Sequence, residues 1–403
     1  MGLALSTFAQ VQHGDAPSGV SPSRVLWMSC TAHALHDGFT DMIYVLLPVW
    51  QTDFGLTYGA LALLRGIYAG TMATLQLPVE RLNDRFGGRV MLAFGTLLAA
   101  LGYGLAGMSG TLLGLCVALA ISGSGSSTQH PIASASVSRA YQPNARGALS
   151  IYNFSGDIGK AALPAAISLL VTIISWRHAL WIVSALGLSV AGGIALLMPS
   201  LPPGAAKTEQ PAGGRESNFA RKGFTSLFSI GILDTAVRMG LLTLLPFLLK
   251  EKGASMPVIG TAMALVFIGG AAGKFACGWL GARVGVVGTV LATEGGTAAL
   301  IIAVLLSRLP LAMMILPFLG VMLNGTSSVL YGTVPELAAP DRTARAFAVF
   351  YTGTIGSGAI SPVIYGVLGD HIGIHDATIA TALTALMIFP LALALRPHLV
   401  LDQ

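Results

Sequence analysis

Residues 57–108 read TYGALALLRGIYAGTMATLQLPVERLNDRFGGRVMLAFGTLLAALGYGLAGM. Two apolar runs, 57–79 and 89–108, flank a segment that holds Glu80, Arg81, Asp84, Arg85 and Arg89. A membrane-spanning helix needs about 20 mostly apolar residues. Each run is therefore long enough to cross a bilayer, and the charged segment is a short turn on one side of it.

The same alternation continues outward in both directions. Apolar runs at 24–50, 57–79, 89–108, 111–138, 146–173, 177–198, 223–250, 255–279, 286–306, 310–334, 343–369 and 375–396 predict twelve spans. The longest polar stretch, 199–222, contains Pro202, Pro203, Gly204, Pro211, Gly213 and Gly214 and no periodic apolar face. It reads as a linker. The expected organisation is a tail at 1–23, a six-helix bundle at 24–198, the linker at 199–222, a second bundle at 223–396 and a tail at 397–403.

Composition supports this reading. Only 10% of the residues are charged and 54% are hydrophobic, whereas a soluble domain carries about 25% charged residues. Such a chain cannot cover a surface with polar groups, so lipid must face much of it. Fifty glycines suit helices that pack closely without a hydrophobic drive between them. Met1-Gly2-Leu3-Ala4-Leu5-Ser6 formally fits an acylation pattern, but one acyl chain adds little to an integral membrane protein. Cys30, Cys116 and Cys277 lie apart in apolar runs and read as small buried hydrophobes, with no metal or redox spacing.

The net charge of +5 does not imply nucleic acid, because the basic residues punctuate the spans. Arg24, Arg81, Arg85, Arg89, Arg139, Arg146, Lys207, Arg215, Arg221, Lys222, Arg283, Arg342, Arg345 and Arg396 fall on one side. Arg177, Lys250, Lys252 and Arg308 fall on the other. The positive-inside rule then puts both termini and the linker in the cytoplasm, in a bacterial-type inner membrane.

The two halves resemble each other at an offset near 198 residues. Asp37 and Pro48 align with Asp234 and Pro246, the 84–87 loop with 282–285, Arg146 and Tyr152 with Arg345 and Tyr351, and Gly125 with Gly325. Parallel six-helix repeats place a solute site at mid-membrane and imply alternating access.

The loop Asp84-Arg85-Phe86-Gly87-Gly88-Arg89 resembles the cytoplasmic loop of the major facilitator superfamily, commonly G-x-x-x-D-R-x-G-R-[RK]. Glu80 stands where that pattern prefers Gly. The resemblance implies an all-α fold of twelve transmembrane helices in two pseudo-symmetric bundles, with Asp84, Arg85, Gly87 and Arg89 as a conformational latch. The second copy keeps Arg283 and Gly285 but has Ala282 for the acid. His33-Ala34-Leu35-His36-Asp37, Gly123 to Pro131 and Gly156-Asp157-Ile158-Gly159 are similar to the fosmidomycin-resistance branch. That similarity implies a proton-driven exporter of drugs or metabolites. Ile132 and Lys160 depart from the branch and leave the substrate open.

An ionisable residue inside a span costs several kcal/mol unless paired or hydrated. His33, His36, Asp37 and Asp41 share about 140° of one helix face. Burial disfavours an ionised carboxyl and histidine titrates near neutrality, so Asp37, His33 and Asp157 are the expected proton carriers. The alternative is a fixed His33–Asp37 pair that orients the helix.

His36, Asp41, Arg65, His130, Lys160, Asp234 and Arg238 are the expected cavity residues. Arg65 would neutralise Asp37 or Asp41, or grip an anion. His130 precedes Pro131, which bends the span. Asp157 with Lys160, and Asp234 with Arg238, are spaced to pair on their own helices. Lys274 and Glu294 lie toward span ends and receive no role. Trp50, Trp176 and Trp181 read as interfacial anchors.

No Walker sequence and no nucleophile with a base at usable spacing occurs. The expected protein is therefore a secondary transporter and not an enzyme, without metal or cofactor, working as a monomer on a small molecule and protons. Export by proton antiport of an anionic or zwitterionic compound is the leading reading. Import by proton symport and a non-transporting sensor are the alternatives.

Overall fold

The computed structural model describes residues 21–142, 145–200, 218–338 and 343–399, with the side chains of 218–221 and 344 left aside. Most of the expected linker and both expected tails lie outside these residues. The described residues are helical throughout, with no strand among them. In chain order the helices are α1 (Pro22–Phe54), α2 (Tyr58–Phe86), α3 (Gly88–Met108), α4 (Leu112–Ser126), α5 (Gln129–Ala140), α6 (Ala145–Leu170) and α7 (Trp176–Leu197). They continue as α8 (Asn218–Glu251), α9 (Met256–Leu306), α10 (Leu309–Thr333), a 3₁₀ turn (Val334–Leu337), α11 (Thr343–Leu386) and α12 (Ile388–Leu395). Among the described residues, six helical segments are long and apolar enough to cross a membrane by length and composition.

The run expected at 111–138 is two helices, α4 and α5, separated at Ser127 and Thr128. The break precedes His130-Pro131 and leaves Pro131 in the first turn of α5, where a missing N–H costs no hydrogen bond. The spans expected at 255–279 and 286–306 are the two arms of α9, which meet at the non-helical Gly285 (φ 74°, ψ 174°). Those expected at 343–369 and from 375 are likewise the arms of α11, which meet at Gly373 (φ 87°, ψ 162°). In both, the loop is so short that a single left-handed glycine supplies the whole change of direction.

Positive-φ residues expose the internal repeat. Gly55 and Gly253 are 198 residues apart, and so are Gly87 and Gly285. The chain therefore turns at matching points in its two halves.

The helices group into two compact units. Of the described residues, one comprises those up to 42, those within 70–163 and 173–200; the other comprises 43–69, 164–172 and those from 218 onward. The second unit thus takes in the end of α1, the start of α2 and a short piece around the end of α6. In the first unit, Val25, Leu92, Ile132, Val137, Ala148 and Ile194 meet in a buried core. In the second, Leu227, Ile230, Val290, Leu330, Phe350 and Ile388 do the same.

A link distant in sequence ties α2 into the second unit. Asp370 accepts hydrogen bonds from the backbone N–H groups of Tyr58 (2.7 Å) and Gly59 (2.9 Å). It caps the start of α2 from α11, satisfying donors that a helix N-terminus leaves open.

Large apolar side chains remain exposed on the helices, among them Leu113, Ile173, Leu196, Phe275, Leu306 and Met314. Water would penalise such a surface, whereas lipid matches it. Trp181 is exposed, in keeping with an anchor, but Trp50 and Trp176 are buried. Those two are therefore packing residues: Trp50 is enclosed completely, and the Arg177 guanidinium lies 4.3 Å from the Trp176 ring centre. The three cysteines are free thiols.

Candidate functional site

Glycines bring α1 and α6 into contact. A Cβ on Gly159 would run into the Ala34 carbonyl, and one on Gly38 would sit 2.8 Å from Leu163 Cβ. A Cβ on Gly156 would lie 2.6 Å from both Asp37 Oδ2 and His33 Nε2. Only hydrogen fits at these positions, so the two backbones approach closely and carry their charged residues together.

The cluster that results is centred on Asp37. Its Oδ2 lies 3.2 Å from His33 Nε2 and 3.2 Å from Lys160 Nζ, and its Oδ1 lies 3.6 Å from His130 Nε2. Asp157 Oδ1 is 3.9 Å from Lys160 Nζ. Lys160 therefore stands closer to Asp37 than to the neighbour on its own helix. It holds the counter-ion position that sequence reasoning had considered for Arg65, and the electrostatic field of Asp41 also reaches it.

His33 is oriented by its other nitrogen. Nδ1 lies 2.8 Å from the Tyr152 carbonyl oxygen, which can only accept, so Nδ1 carries a hydrogen. The ring also stacks on Tyr152 with centroids 4.2 Å apart. A second proton on the imidazole then sits on Nε2, directed at Asp37, which is the geometry for passing a proton between them. Tyr152 is fixed in turn by a 2.9 Å hydrogen bond from Gln129 Nε2. Sequence reasoning had treated Tyr152 only as a repeat marker and had not considered Gln129; neither side chain carries a charge to draw attention.

Access to the cluster is graded. The Asp37 side chain is 7% exposed, while His130 is 45% exposed and Lys160 31%. His130 and Lys160 are thus the outer members of the cluster and Asp37 the inner one.

Donor atoms of His33, Asp37 and His130 lie within 4.8 Å of one another, a spacing compatible with a metal ion. The Lys160 ammonium already rests on the same carboxylate, however, and its charge opposes a second cation there.

His36 belongs to a different environment. Its Nε2 is 3.0 Å from Thr96 Oγ1, and its Nδ1 is 3.1 Å from Ser126 Oγ. Thr96 donates its hydroxyl proton to the Leu92 carbonyl at 2.8 Å. It must therefore accept from His36 Nε2–H, while Nδ1 lies within hydrogen-bond reach of Ser126. The imidazole joins α1, α3 and α4. The shared helix face expected for His33, His36, Asp37 and Asp41 is thus split. His36 turns to α3 and α4, whereas His33 and Asp37 meet α5 and α6.

The remaining expected site residues lie elsewhere. Arg65 is buried on α2, with its guanidinium 5.1 Å from the Tyr44 ring centre and 5.9 Å from that of Tyr68. Asp41 is buried on α1. Asp234 and Arg238 lie on α8, where Asp234 is buried within electrostatic reach of Glu294. Glu294 is only 2% exposed, so its placement at a span end is corrected: it is an interior residue of α9. Asp84 and Arg85 are exposed near the end of α2, and Gly87, with φ 80°, separates α2 from α3.

Comparison with known proteins adds a lineage to this geometry. A family model described as Major Facilitator Superfamily matches residues 30–233 and 227–400. The sialic acid transporter NanX of Escherichia coli is 24% identical over 66% of this chain and 66% of its own length. The alignment thus reaches just under two thirds of that relative. The probable sulfoacetate transporter SauU of Cupriavidus necator is 25% identical over 90% of each chain. The fosmidomycin resistance protein of Escherichia coli is 25% identical over 40% of this chain and 39% of its own. Among solved structures, a bacterial homolog of the human lysosomal transporter Spinster superposes with a TM-score of 0.80 at 17% identity. That superposition covers 96% of this chain and all of the other, and it is a likeness of fold.

Proposed function

The chain belongs to the Major Facilitator Superfamily, a family of multi-pass membrane transporters, and from that premise we propose that it is a proton-coupled secondary transporter of small organic anions or zwitterions. The observation that carries this reading is the Asp37 centre, one buried carboxylate held by Lys160, His33 and His130. Proton coupling requires a group whose protonation changes what its neighbours bind. When Asp37 is ionised, Lys160 is committed to it. A proton on Asp37 removes that partner and leaves an ammonium free to hold a solute carboxylate or sulfonate. The acids in the names of NanX and SauU accord with such a substrate.

Export by proton antiport is the leading direction, from the resemblance of the first, fourth and fifth spans to the fosmidomycin-resistance branch. A zwitterion suits it, because a solute amine competes with the proton for Asp37 and the two exchange. Symport is favoured by one specific observation, the 3.2 Å Lys160–Asp37 pair. A plain anion needs Lys160 released, so it binds together with the proton.

The test uses purified protein in liposomes with an imposed pH gradient and labelled sulfoacetate or sialic acid as probes. Antiport drives solute against the direction of proton flow, and symport drives it along with the protons. Equal flux with and without the gradient, for wild type and Asp37→Asn alike, would remove proton coupling from the account.

A further inference from the structure

The Asp37 centre leaves a second group of buried acids unused. Asp234 on α8 and Glu294 on α9 are 4% and 2% exposed, and the two acids lie within electrostatic reach of each other. Thr326 on α10 places its hydroxyl 2.8 Å from Glu294 Oε1 and 2.8 Å from Thr293 Oγ1. Arg238, one turn along α8 from Asp234, is the basic group whose charge acts on both acids. Its Nε is buried without a hydrogen-bond partner, so the guanidinium is not fully engaged in bonding. Beside Asp234 lies a cavity of about 10 Å³, room for about one water, lined by Asp234, Arg238, Ser327, Tyr331, Phe350 and Thr354. Tyr331 is the titratable group facing the acids from α10, and its hydroxyl lies 3.2 Å from Thr354 Oγ1.

Two considerations point to a proton here. Carboxylates accept hydrogen bonds and cannot donate them, so two neighbouring carboxyls bond to each other only with a hydrogen between them. Charge leads to the same count. Two ionised acids against one guanidinium would bury a net negative charge, which the interior strongly disfavours. One proton makes the trio neutral and supplies the missing donor.

We propose that Asp234 and Glu294 form a proton-binding site in the second half of the chain, holding one exchangeable proton between their carboxyl groups. Binding takes a proton from water in the adjoining cavity onto one carboxylate oxygen, and release returns it there. No bond between heavy atoms changes. With the proton bound, Arg238 balances the one remaining negative charge. After its loss, two negative charges repel across the former hydrogen bond and draw on Arg238. This site does not depend on the assignment of Asp37.

Infrared spectroscopy of the full-length protein in lipid nanodiscs tests the proposal, because a protonated carboxyl has a carbonyl band distinct from that of a carboxylate. Wild type is expected to show such a band at neutral pH, shifted by deuterium and bleached as pH is raised. Asp37→Asn should keep it, whereas Glu294→Gln and Asp234→Asn should each lose one acid equivalent. A second arm needs no substitution: carbon-13 labelling of the Glu or Asp carboxyls must shift the band in the wild-type protein. A band unchanged by both variants, unmoved by either label, constant across the accessible pH range or absent from wild type would overturn the proposal. Solute flux is not read here, so failure leaves the Asp37 reading untouched.

Discussion

His36 and Asp234 stand 198 residues apart, at corresponding places in the two halves, and are held in different ways. His36 is an imidazole hydrogen-bonded between Thr96 and Ser126. At the same offset the second half has Asp234, Glu294 and Asn324, with an acid pair where the first half has His36 and Thr96. The Asp37 centre shows the reverse. Asp37, His33, His130 and Lys160 correspond to Thr235, Gly231, Ser328 and Gly358, none of them charged. The repeat preserves the turns, Gly55 with Gly253 and Gly87 with Gly285, while the ionisable residues have moved between sites. Duplicated backbones therefore need not carry duplicated chemistry.

The comparison breaks most readily at its centre. Asp37→Asn should lower the pH-gradient-driven part of solute flux about 5- to 150-fold, the range of a coupling of about 1–3 kcal/mol. Thr235→Val, at the corresponding place, should leave flux within about twofold of wild type. Parallel liposome assays measure both. Equal losses would mean that the halves share the chemistry after all.

Packing offers a second contrast. Gly156→Ala puts a methyl 2.6 Å from Asp37 and His33, an overpacking of about 1–3 kcal/mol. The corresponding residue is Thr354, which already carries a side chain. Thr354→Ala should lower the unfolding midpoint in detergent less than Gly156→Ala does. Thr96→Val is expected to cost about 1–2 kcal/mol by leaving His36 Nε2–H without its acceptor, seen as a lower midpoint with gradient-driven flux retained. The smallest effect is expected at the α2 cap. Asp370→Ala should cost about 1 kcal/mol, with faster amide exchange at Tyr58 and Gly59 as its local signature.

Much of the fold was legible because apolar run length and charge placement are local properties. The turns at Gly285 and Gly373 fall in the gaps expected between spans, although a loop made by one residue leaves little polar sequence to mark it. Asp37, His33, Lys160 and His130 stood out because charge inside a span is costly. Their grouping did not, because it depends on Gly156 and Gly159 letting α6 approach α1. Helical periodicity put His36 on the same face as Asp37, but a face about 140° wide can meet different neighbours at its two edges. Glu294 was misplaced because hydropathy locates span ends only to within several residues. The repeat was aligned Asp37 to Asp234, 197 residues apart; at 198, the spacing of both glycine pairs, Asp234 corresponds to His36. Tyr152 likewise corresponds to Phe350, which is buried as Tyr152 is, while Tyr351 is 47% exposed.

The central claim is that proton coupling resides in the Asp37 centre. Its most direct test is solute flux under an imposed pH gradient, measured side by side for wild type, Asp37→Asn and Glu294→Gln in liposomes. The account predicts that Asp37→Asn still equilibrates solute down its own gradient but no longer responds to the pH gradient. Full gradient-driven accumulation by Asp37→Asn, with its loss only in Glu294→Gln, would move the coupling to the second half and contradict the account.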